Sequence, residues 1–201
     1  MPAKSDSKPK PIKIDVSGVP PERRTDTKFL ELCKEVQGLF PILVVVNSFC
    51  VHESAHIFYY QQAGINVHSV VGPSITYDPT KKEKFGFRPA QVLVKKSDIE
   101  ALGTDTSVVR KIAKVHASGA VVAKALTSVK VGGGEGDREI FNAFCVTAKV
   151  SETDGEKIWM EAEDEIRKDS RKRAIQTELW NKAYEIRLQL FDIPFPQGLK
   201  P

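Results

Sequence analysis

Apolar residues recur along most of this chain at intervals of three and four, the spacing of one face of a helix. Phe29, Leu30, Cys33 and Val36 predict a first helix over residues 27–37, with Thr25 and Asp26 as caps and Gly38 as its end. Pro41 suits the first turn of a second helix, where a missing N–H loses no partner. That helix is read over 41–63 and is closed by Gly64. Its first half, Ile42, Leu43, Val44, Val45 and Val46, is apolar all round, which predicts a helix buried in the core. Val108, Ile112, Val115, Gly119, Val122 and Leu126 mark a long helix over 107–126. Its small residues Ala117, Ser118, Gly119 and Ala120 permit close approach of a neighbouring helix. Ile140, Phe141, Phe144 and Val146 continue the helical pattern after Asp137. Two further stripes, Ile158 with Ala162 and Ile166, then Ile175 with Leu179, Ala183, Ile186 and Leu190, fill 156–190. The basic run 167–173 divides them.

Between the second helix and residue 107 the pattern changes. Val67, Val70, Val71, Ile75 and Tyr77, then Phe85, Phe87, Val92 and Val94, predict short strands at 66–71, 74–78, 84–87 and 91–94. They form a small antiparallel sheet, with 81–84 as an exposed turn and 98–106 as a polar connection. The expected fold class is α+β, mainly α. Such a sheet either covers the core or offers an edge on which an extended peptide can pair by its main chain. Residues 1–27 hold Lys4, Lys8, Lys10, Lys13 and five prolines and read as a flexible basic tail. The domain then spans 28–193, and 194–201 is a Pro-rich C-terminal tail.

Composition changes this picture little. A hydrophobic fraction of 41% and a charged fraction of 28% are ordinary for a soluble globular protein. A net charge of +4 does not by itself point to nucleic acid. The five basic residues of 167–173 lack interleaved aromatics and read as a solvated helix face. Cys33, Cys50 and Cys145 are odd in number and far apart, which fits buried thiols in a reducing, cytoplasmic setting. Cys50 reads as core rather than as a ligand. The N-terminus has no apolar signal region, and the longest apolar run, 39–51, is too short and interrupted to span a bilayer.

Candidate chemistry lies on the second helix, where His52-Glu53-Ser54-Ala55-His56 matches H-E-x-x-H. Two histidines at i and i+4 stand on one helix face, so both imidazoles can bind one Zn²⁺. Glu53 is the residue that serves such a motif as general base. A catalytic zinc needs a third protein ligand and an open position. The glycine-rich stretch 131–136 precedes Asp137 and is no phosphate loop, because no Gly-Lys-Ser/Thr follows. Asp137 is either a helix N-cap or that third ligand. Asp98, Glu100, His116, Glu135 and Glu139 are the other candidates. Tyr59, Tyr60, His68 and His116 are open alternatives for stabilising an oxyanion.

These motifs, in this order, resemble the peptidase domain of FtsH-type ATP-dependent zinc metalloproteases. The resemblance rests on His52-Glu53-Ser54-Ala55-His56, then Val67-His68-Ser69-Val70 with the later Gly86, then Ser118-Gly119-Ala120-Val121, then Gly136-Asp137. It covers roughly residues 41 to 190. It implies a zincin-like helical domain built around the H-E-x-x-H helix. It also implies His52, His56 and Asp137 as zinc ligands, and Glu53 as the residue that activates water. Ala55 replaces the motif glycine, and Ala123 and Lys124 stand where acidic residues are expected. No ATPase module or membrane segment accompanies the motifs, so ATP dependence, anchoring and a hexamer do not carry over. The expected function is a soluble zinc-dependent metallopeptidase acting on peptides or unfolded protein, with a separate unfoldase or self-association as further partners. The alternative is a catalytically silent, protease-like binding or regulatory protein. A nucleic-acid-associated protein is a third reading, resting on the basic tail and the 167–173 cluster.

Overall fold

The computed structural model describes residues 13–39, 43–128 and 134–191. The chain is mainly helical with two short antiparallel strand pairs, in keeping with the expected class. Helix α1 (Thr27–Leu39) runs through Gly38 rather than stopping there. Helix α2 (Leu43–Gln62) carries the H-E-x-x-H residues, and its expected start at Pro41 lies outside the described residues. Its end is as expected: Gly64 takes φ +82°, a region open to glycine. The Gly64 N–H donates to the Gln61 carbonyl and that of Ile65 to Tyr60, which closes the last turn. Every residue from Phe49 to His56 is buried, so α2 is the central rod of the molecule.

The strands β1 (Val67–Val71), β2 (Ser74–Tyr77), β3 (Phe85–Arg88) and β4 (Gln91–Val94) fall close to their predicted positions. They do not form one sheet. β1 pairs with β4 and β2 with β3, each antiparallel. Val71 faces Gln91 and Ser74 faces Arg88, so one long hairpin is interrupted at residues 72–73 and 89–90. Pro73 and Pro89 lie in those gaps and lack the N–H a continuous ladder needs. A short helix, α3 (Lys96–Glu100), occupies part of the connection expected to be irregular.

Helices α4 (Thr106–Thr127), α5 (Gly134–Thr147), α6 (Glu152–Asp169) and α7 (Arg173–Phe191) complete the chain. Asp105 caps α4 by accepting from the Ser107 and Val108 N–H groups. α2 packs mainly on α4 and α7, and α4 in turn on α5 and α6. Buried Arg187 of α7 donates to the Asn47 side chain of α2 and ties those two helices. The α6–α7 break falls within the basic run, where Arg167 pairs with Glu163 and Asp164, and Lys172 with Asp169.

The extent of the tail needs correcting. Residues 1–12 and 192–201 lie outside the described residues, but 13–26 are packed. Asp15 N–H donates to Pro73, and the Asp15 carbonyl accepts from Ile75. Val19 is fully buried against Phe29 and Ile75. Ile14, Val16 and Val19 are the apolar residues of this strap, and the first two alternate with Lys13, Asp15 and Ser17, a strand pattern too short to stand out among the prolines and lysines around it.

Candidate metal centre

α2 places His52 and His56 one turn apart, both buried. Their Nε2 atoms are 3.0 Å from each other. α5 brings Asp137 to them from a distant part of the chain, in its first turn rather than at the N-cap. Asp137 Oδ2 lies 3.3 Å from His52 Nε2 and 3.4 Å from His56 Nε2. Bonds of about 2.0–2.1 Å to a tetrahedral zinc set ligand atoms roughly 3.3 Å apart, so this triangle has the size of one tetrahedral face. Among the described residues these three alone form a group able to hold a metal ion. Glu135, Glu139 and Glu100 are exposed, and Asp98 stands outside the group.

The hydrogen bonds around the triangle agree with a cation site. His56 Nδ1 donates to the Val115 carbonyl of α4 at 2.8 Å, which turns the Nε2 lone pair toward His52 and Asp137. Asp137 Oδ2 and His52 Nδ1 are buried and make no hydrogen bond of normal geometry. Three acceptors that converge without donors repel one another unless positive charge sits among them. A proton serves in the metal-free chain. Burial pushes His56 down, but the Asp137 carboxylate, with Glu53 and the Val115 carbonyl, raises it to about 9. Burial would raise the Asp137 carboxyl, but the imidazoles of His116, His52 and His56 outweigh it and hold it well below the usual carboxylate range. Burial lowers His116.

These directions fix a pH dependence for the metal-free chain. The raised His56 stabilises the fold fully below about 6.5 and loses that contribution as pH rises through about 9. The lowered His116 acts oppositely: its neutral form is buried, so stability falls as pH drops below 6.5. Asp137 contributes above its ordinary value of 3.8 and loses this only in strong acid. Thermal melts of chelator-treated protein should therefore peak near pH 6.5. Between that pH and 9 the His56 shift removes roughly 3 kcal/mol. A flat profile across that range would show that His56 carries no such proton.

No protein-family model, curated protein or solved structure matches this chain.

Two parts of the site escape sequence reading. Gly119 of α4 faces both imidazoles: a Cβ there would stand 2.5 Å from His52 Nε2 and 2.6 Å from His56 Nε2. The sequence marks Gly119 as small, but not as clearance for histidines. The other is a main-chain donor. The Val92 N–H of β4 donates to Glu53 Oε2 at 3.1 Å, holding this buried carboxylate at the strand edge. Val92 faces Val70 across the ladder with its N–H turned away from β1, so this edge of β4 looks toward α2. Of the residues considered for an oxyanion, His68 is exposed on β1 and Tyr59 donates to Asp169. Tyr60 is buried, packs edge-on against the His116 ring and is raised to about 12, by burial and then by Asp137 and Glu53.

Proposed function

We propose that the chain is a zinc-dependent metallopeptidase with a zincin-like site. The observation that carries this reading is the convergence of His52 Nε2, His56 Nε2 and Asp137 Oδ2 within 3.4 Å, with Glu53 next along the same helix. The donor set of two imidazoles and one carboxylate suits Zn²⁺ and leaves one tetrahedral position for water or substrate. When bound, zinc supplies a Lewis acid that acidifies water and polarises a carbonyl. Glu53 would take the proton from the attacking water and return it to the leaving amine. The edge of β4 would hold the substrate extended, because its outward main-chain groups can pair with a peptide strand. That favours unfolded segments and peptides as substrates. Among the described residues no helix is long and apolar enough to cross a membrane.

One observation favours the silent alternative. Glu53 is only 6% exposed and its Oε2 is already engaged by Val92. Under that reading the chain keeps the metal and loses turnover. Metal analysis begins to separate these readings. The purified chain is expected to hold about one zinc per molecule after reconstitution, and the His56→Ala variant to lose it. An unchanged zinc content in His56→Ala would overturn the ligand set. Zinc held by the wild type, with no cleavage of any unstructured peptide, would support the silent reading.

A further inference from the structure

Helix α4 contributes more to the site than clearance. We propose that His116 is the positioning residue for the Asp137 carboxylate, orienting it by an Nδ1–H donated to Oδ1; this rests on the zinc reading above. Oδ1 is the oxygen left over when Oδ2 faces His52 and His56. His116 Nδ1 lies 3.7 Å from it, with both side chains largely buried. That separation exceeds a formed hydrogen bond, and a closure of less than about 1 Å makes one. His116 Nδ1 is buried and has no hydrogen-bond partner. A donor stranded in this way costs roughly 1–3 kcal/mol, so forming this bond is favourable. The ring is held for the purpose: Tyr60 packs edge-on against it with centroids 6.3 Å apart, and His56 lies on another side at 6.4 Å.

The same turn of α4 therefore serves two ligands. Val115 fixes the tautomer of His56 by its carbonyl, and His116 aims the carboxylate. Asp137 needs such a guide. It sits in the first turn of α5, whereas the histidines ride midway along the central rod. Ligating carboxylates held by outer hydrogen bonds lose affinity when those bonds are removed.

The test measures zinc affinity on the metal-stripped full chain by competition with a chromophoric chelator. His116→Ala and His116→Phe should each bind zinc about 10–100-fold more weakly, whereas His116→Gln, which keeps a donor, should stay within about threefold of wild type. His116→Phe keeps a ring packed against Tyr60 and remains informative if His116→Ala fails to fold. Wild-type affinity in His116→Phe, or no recovery in a folded His116→Gln, would overturn the positioning role. A wild-type chain that binds no zinc at all sinks the zinc reading, and this inference with it.

Discussion

Glu53→Gln is expected to abolish peptide cleavage while leaving one zinc per chain. The substitution keeps the shape and an oxygen that can accept the Val92 N–H, so the contact between α2 and β4 survives. What it removes is a group able to take a proton. Loss of a positioned general base lowers turnover by roughly 10²–10⁴-fold. The measurement is cleavage of a fluorogenic unstructured peptide beside metal content and a thermal melt. Unchanged melt and zinc with lost turnover is the predicted pattern. Cleavage at the wild-type rate would remove Glu53 from the chemistry and leave the triad as a binding site alone. Val92 is the point of interest in either case: its N–H can serve Glu53 or an incoming peptide strand, but not both at full strength.

Gly119→Ala is the second large effect, and its sign is informative. Within a helix, glycine to alanine ordinarily stabilises by about 0.5–1 kcal/mol, because alanine loses less backbone entropy. Gly119 carries no positive φ that would argue otherwise. Here the added methyl meets His52 Nε2 at 2.5 Å and His56 Nε2 at 2.6 Å, distances at which something must move. Two ligand atoms of the triangle are what it strikes. Displacing them by even ~0.5 Å spoils a zinc face set by bonds of about 2.0–2.1 Å. Zinc affinity should fall by at least about 100-fold, and overpacking should cost roughly 1–3 kcal/mol in the metal-free chain. Gly134→Ala is the matched control, since a Cβ there approaches only the Ala120 methyl, at 3.2 Å. It should disturb α4–α5 packing mildly and leave zinc bound. Equal zinc affinity in Gly119→Ala and wild type would show that the histidines bind metal in some other arrangement.

Much of the framework was legible because it is local. Helical spacing recorded α1, α2, α4, α6 and α7 to within a few residues at their ends, and the four strands appeared at their predicted places. Ends and pairings were less so. Gly38 does not stop α1, and the strands form two pairs rather than one sheet; Pro73 and Pro89 are visible in the sequence, but which strands pair across those gaps is a long-range contact that no local pattern states. The strap around Val19 is marked in the sequence only by a short alternation, Ile12, Ile14 and Val16, too brief to stand out among prolines and lysines.

The division is sharpest at the site. By itself, the sequence determined that two histidines share one face of an apolar helix with a glutamate between them, because i to i+4 spacing is a property of the helix alone. It could offer Asp137 only as one candidate among several. Tertiary structure decided that Asp137 meets both imidazoles, that Val115 and His116 stand behind them, that Gly119 makes room for them, and that Val92 holds Glu53. Each of these depends on how α2, α4, α5 and β4 cross one another. The crossings are set by packing of the whole core, which no local pattern of residues encodes.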